Sequence, residues 1–231
     1  KEAVLELEEK NMKETENQGE LRISNNLDTE TELKEKIKTL PTDKVPIVIA
    51  GGSFNTKGRE TPVTEQGINI LRELMKKVDN NKVYFVIGHK VQGYEKTIID
   101  ISKELNKKFE INAIVPKVVS QNVKEGLLND SINGICISTE SEELGIYKSF
   151  NYEIFERRKA IVIVFDGNSP ALNLVQEAKN GKGKSKIYVN KENSLLKEKA
   201  EMLEGYVVAF EMQDNIVKKI FEDNPEILLN K

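Results

Sequence analysis

The chain has 231 residues, 38% hydrophobic and 32% charged, enough to bury one sizeable core and hardly two, so one domain with an appendage is expected. Its net charge of −3 argues against binding nucleic acid along a broad surface, which needs a clustered positive field. A lone cysteine, Cys136, excludes an internal disulfide and no apolar run approaches bilayer-spanning length, so a soluble, cytoplasmic chain with no membrane contact is expected.

In chain order, residues 1–44 stand apart. They are rich in Glu, Lys, Asn and Thr, with eleven acidic against six basic side chains over Lys1–Lys36. Weak helical stripes run through Val4, Leu5, Leu7 and Met12, and through Leu33, Ile37 and Leu40. This predicts an acidic helical arm or linker, and the first residue, Lys1 rather than Met, suggests a piece of a longer protein.

Pro41 and Pro46 mark the boundary, and residues 45–231 alternate strand and helix signals. Val45 to Ala50 is a buried-strand pattern ended by Gly51-Gly52-Ser53. Val63 to Val78 carries apolar residues at helical spacing, Asn80-Asn81 turns the chain, and Val83 to Ile87 is a second strand. Gly88 ends that strand. His89, Lys90, Val91, Gln92 and Gly93 follow before Ile98, Ile99, Ile101 and Leu105 take up helical spacing.

Further strands are predicted at Glu110 to Val115, Asn133 to Ser138, Ala160 to Phe165, Lys186 to Val189 and Val207 to Phe210. Helices are predicted near Val123–Leu128, over Leu144 to Arg158, from Pro170 through Ala178, and from Met212 to Phe221. Six or seven strands interleaved with helices make a doubly wound α/β domain with a mainly parallel sheet. Ligands of such sheets sit beyond the carboxyl ends of the strands, where the strand order reverses.

Four turns therefore hold the candidate binding residues: Gly51-Gly52-Ser53, Gly88-His89-Lys90 with Gly93 and Tyr94, Thr139-Glu140, and Asp166-Gly167-Asn168-Ser169. A strand, a glycine turn and a helix start leave backbone N–H groups unpaired at the positive end of the helix dipole, which suits a phosphate. Each feature also has a plainer account. Glycines suit any tight turn, a single loop histidine is ordinarily a surface residue, and lysines are ordinarily solvated. Glu95 favours the dipole of the helix it starts, and Glu140, Glu142 and Glu143 suit a helix N-terminus. The sharper reading gives Glu140 a ribose hydroxyl or a role in N-glycoside chemistry.

Two motifs fail on context. Gly183-Lys184-Ser185 matches the end of a P-loop, but Ala178 stands where the first glycine belongs, and the segment follows a helix and precedes a strand. One His and one Cys give no basis for a metal site, and no cofactor is expected.

The succession IVIAGGSFNTKG, VYFVIGHKVQGYEKTIID, INAIVP, GICISTES and FNYEIFERRKAIVIVFDGNSPALNLVQEAKNGKGKSKIYVN resembles the SLOG superfamily of Rossmann-like domains, over roughly Val45 to Asn190. That superfamily joins the DNA-processing protein A (Smf) family, the lonely-guy phosphoribohydrolases and ligand-sensing domains attached to bacterial antiphage effectors. Gly88 to Gly93 stands in place of the DNA-processing family's glycine-rich turn. Of that family's Arg-Asn-Arg and Ser-Gly-Ser motifs, only Asn151 and Ser169 survive, and the lost arginines argue against single-stranded DNA binding. The PGGxGTxxE turn of the phosphoribohydrolases is also absent.

The resemblance implies binding or sensing of a nucleotide or nucleotide-derived signal, a cyclic one included, coupled to an attached effector or to homo-oligomerisation. Asn151 joins the candidate ligand-binding residues on this basis. The alternative is an enzyme that cleaves or transfers N-glycosidic bonds, with Asp166, Glu140 or Glu177 as its carboxylate.

Overall fold

The computed structural model describes residues 30–51, 62–88, 92–115, 135–137, 143–167, 169–192, 196–198 and 207–230. The helix expected near Val123–Leu128 lies outside them. Seven parallel strands form one sheet: β1 (Val45–Ala50), β2 (Val83–Ile87), β3 (Ile111–Val115), β4 (Ile135–Ile137), β5 (Ile161–Val164), β6 (Lys186–Asn190) and β7 (Val207–Phe210). Their order is β4-β3-β2-β1-β5-β6-β7, with every pairing parallel.

The helices are α1 (Glu30–Lys38), α2 (Glu65–Lys77), α3 (Tyr94–Glu104), α4 (Glu143–Phe155), α5 (Ser169–Asn180) and α6 (Ile216–Asp223). Because successive strand residues point to opposite faces, each central strand feeds two cores. Ile47, Ile49, Phe85, Ile87, Ile161 and Ile163 pack with α2, α3 and α6. Val48, Ala50, Tyr84, Val86, Val162 and Val164 pack with α1, α4 and α5. Parallel crossovers are right-handed, so reversing the direction of travel across the sheet moves the covering helix to the other face. Reversal occurs between β1 and β5, which places a crevice at their carboxyl ends. The sheet is wholly parallel among the described residues, and the fold is the Rossmann-like α/β class expected.

Residues 30–40 belong to this architecture. Ile37 and Leu40 are buried in the second core, so the last part of the segment expected as an arm forms part of the outer helical layer. At the amino end of the sheet, Arg158 donates to the Pro41 carbonyl and pairs with Glu153 at 3.0 Å, which ties the chain entering β1 to α4.

Candidate functional site

The carboxyl end of β1 is shaped by Gly51, whose φ of 128° is open to glycine and strained for other residues. A Cβ there would lie 3.1 Å from the Tyr94 ring and 3.2 Å from the Asp166 nitrogen. Three turns thus meet at one point. The ladder continues past β1, with the Phe165 N–H donating to Ala50 O at 3.0 Å and the Tyr94 N–H donating to Gly51 O at 3.1 Å.

On the β5 side, Asp166 accepts from the Gly167 N–H at 2.8 Å, and Gly167 has φ 143°. A Cβ at Gly167 would come within 2.6 Å of the Ala171 methyl, so glycine is needed both for the backbone and for the start of α5. Ser169, first in α5, is exposed beside these groups. Asn190, buried at the end of β6, donates to Phe165 O at 2.9 Å and fixes the far side of the β5 turn.

Between β2 and α3 the chain passes through Gly93, with φ 57° and ψ −132°, a conformation that an L side chain disfavours. Its carbonyl accepts from the N–H and the hydroxyl of Thr97. The first turn of α3 is buried, which is unusual for a polar helix start. Tyr94 is only 1% exposed, stacks on Phe165, and places its hydroxyl 3.2 Å from the Thr64 N–H. It supports the rim from below.

Glu95 is also buried, at 7% exposure, with its carboxyl packed on Gly88: a Cβ at Gly88 would fall 2.7 Å from Oε1 and 3.0 Å from Oε2. Burial pushes this carboxyl from an ordinary 4.5 up to about 8, opposed by a hydrogen bond from the Gly88 N–H, so it is mostly neutral at pH 7. Among the described residues its Oε2 has no hydrogen-bond partner, and neither does the buried Oε1 of Gln92. Sequence reasoning passed over this pair. Glu95 reads as an ordinary first-turn acid, and only its burial separates it from one.

Of the residues expected to bind ligand, Gly51, Gly88, Gly93, Asp166, Gly167 and Ser169 stand at the carboxyl rim of the sheet. Tyr94 lies beneath that rim with its hydroxyl engaged, and Asn151 is not there. Asn151 follows the start of α4 by about 12 Å of helix and donates to Glu177, equally deep on α5, so both are helix-packing groups. The rest, Gly52, Ser53, His89, Lys90, Glu140 and Asn168, lie outside the described residues.

Among the described residues no cluster of His, Cys, Asp and Glu could hold a metal ion, and no helix is long and apolar enough to cross a membrane. No protein-family model and no curated protein matches the chain. Among solved structures, the chain is similar to the molybdenum cofactor carrier protein from Chlamydomonas reinhardtii, at 11% identity and a TM-score of 0.48, over 78% of this chain and 97% of that one.

Proposed function

We propose that the carboxyl rim at the β1/β5 reversal binds a nucleotide or nucleotide-derived small molecule, a cyclic one included, and that the domain is a sensor of the SLOG type. One observation carries this reading: the two strands flanking the reversal both end in glycines at positive φ, Gly51 and Gly167, with Asp166 and the start of α5 beside them. Backbone N–H groups at a helix start donate to phosphate oxygens, and a carboxylate such as Asp166 accepts from ribose hydroxyls. Coupling to an upstream effector or to homo-oligomerisation, as in antiphage systems, completes the proposal.

A thermal-shift screen of the full chain against mono-, di- and cyclic nucleotides tests it. The expected result is a concentration-dependent rise in melting temperature with at least one of them. No shift with any would overturn the reading.

N-glycoside cleavage is the second reading. What favours it is a carboxyl that burial pushes up to about 8, Glu95, packed on Gly88 at the carboxyl end of β2, since a general acid needs its proton at working pH. Release of free base from a nucleoside or nucleoside monophosphate during incubation would replace sensing with turnover.

A further inference from the structure

The helix α5 runs from the carboxyl rim toward the opposite end of the sheet, and its 12 residues span about 18 Å. At the rim its first turn has no slack, since a Cβ at Gly167 would come within 2.6 Å of the Ala171 methyl. At the far end it is held backbone to backbone. The Gly183 N–H donates to Phe155 O at 2.8 Å, and a Cβ at Gly181 or Gly183 would fall onto the carbonyls of Phe155 and Arg158.

Arg158 carries the contact onward. Its guanidinium donates to Pro41 O and pairs with Glu153 at 3.0 Å. Just before Pro41, Ile37 and Leu40 share one buried cluster with Val175 and Ala178 of α5 and Ile154 of α4. Close-packed interiors are nearly incompressible and transmit displacement, so α5, α4 and α1 respond together.

Of these three helices, α1 is the one with a second state close at hand. It has nine residues, ETELKEKIK, six of them charged, and a helix that short is marginal in water without tertiary packing. It is helical while docked and unwinds when it leaves.

Resting on the ligand-binding reading above, we propose that α1 is the output of the site: a ligand seated against the β5–α5 turn steadies α5, and α5 keeps α1 docked through Phe155, Arg158 and Pro41. With the turn empty, α1 undocks more often. The chain entering β1 thus reports, at the amino end of the sheet, what occupies the carboxyl end. Such a ligand acts by preferring the docked state.

The test is amide hydrogen exchange of the full chain at Thr39 and Leu40, whose N–H groups donate to Glu35 O and Ile37 O and lose those bonds when α1 unwinds. Gly167→Ala and the milder Val175→Ala, which disturb opposite parts of α5, should each speed exchange there by about tenfold or more. In an Arg158→Met background, Val175→Ala should add less than about twofold, because the link is already cut. If Gly167→Ala does not fold, Val175→Ala decides. Gly67→Ala, under the other face of the sheet, is the control. Its reproducing the acceleration would reveal general destabilisation and overturn the proposal, as would Val175→Ala without effect.

The mono-, di- and cyclic nucleotides of the thermal-shift screen are then added to the wild type. One that raises the melting temperature should also slow exchange at Thr39 and Leu40. A raised melting temperature with no slowing there would overturn the relay and leave the rim site standing. No rise with any of them would overturn the ligand reading, and the relay as its output with it.

Discussion

The ring of Tyr94 lies flat on that of Phe165, their centroids 4.3 Å apart and their planes 17° from parallel. This stack joins the first turn of α3 to the end of β5 directly under Gly51, so the turns after β1, β2 and β5 share one support. The Tyr94 hydroxyl extends the link to Thr64, whose own hydroxyl caps α2 by accepting from the Gly67 N–H. The rim is thereby placed by a buried aromatic pair rather than by its own loops.

Gly67 tests this support. In most helices Gly→Ala stabilises, by up to about 1 kcal/mol. Here a Cβ would overlap the Tyr94 ring, so Gly67→Ala is expected to destabilise by about 1–3 kcal/mol. Urea unfolding of Gly67→Ala, Tyr94→Leu and the double variant should show the double less harmed than the sum. Strict additivity would mean that Tyr94 is not what the new methyl meets.

The Glu95 carboxyl makes stability fall with rising pH. Its folded value, about 8, exceeds the ordinary 4.5, so between those values the folded state holds a proton that the unfolded state has lost. Stability is then lost as pH rises through that window, with a limiting slope of about 1.4 kcal/mol per pH unit, and levels off above about pH 8. Subtracting the Glu95→Gln unfolding curve from that of the wild type, pH by pH, should isolate the slope. A difference that is flat from pH 5 to 8 would show that the carboxyl ionises freely in the fold.

Gly183 explains the phosphate-loop look-alike. A Cβ there would fall onto the Arg158 carbonyl, and the Gly183 N–H donates to Phe155 O at 2.8 Å, so the glycine lets two backbone segments touch. Backbone cannot swing aside as a side chain can, and Gly183→Ala is expected to lower stability by about 3 kcal/mol. Lys184, at φ 57°, should by contrast gain a few tenths to about 1 kcal/mol on replacement by glycine. Thermal melts of the two single variants, with opposite signs, would establish a structural role for the segment.

Arg158 and Glu153 form a buried pair, with side chains only 7% and 9% exposed. Arg157 also reaches Glu153, at 3.5 Å, so Arg158→Met leaves that carboxylate partly compensated but removes the buried pair and the donor to the Pro41 carbonyl, and it should be destabilising by about 1–3 kcal/mol. Neutralising the second charge as well, in Glu153→Gln/Arg158→Met, should restore a large part of that. A double-mutant cycle by denaturant unfolding measures the coupling, and a value near zero would place both groups in water.

The sequence alone carried the kind and order of the strands and longer helices among the described residues, with the strand count left at six or seven and the 3-10 helix Pro225–Ile227 missed. A fully buried parallel strand such as Ile161–Val164 and a two-faced helix such as Glu65–Lys77 carry their periodicity locally, and glycines directly follow the first two strands. It also located most of the rim, because a strand-turn-helix unit puts its turn at the carboxyl end whatever the strand order. Tertiary structure alone decided which polar residues are buried beside it. Glu95 and Asp100 sit in one helix and look alike in sequence, yet only Glu95 is buried against the end of a neighbouring strand. Asn151 looked like a surviving motif residue until the helix carried it below the rim to Glu177. Burial, and the loss of water that makes a carboxyl keep its proton, comes from how the chain folds back on itself, here with Gly88 at the end of β2 packed on the carboxyl. No local pattern encodes it.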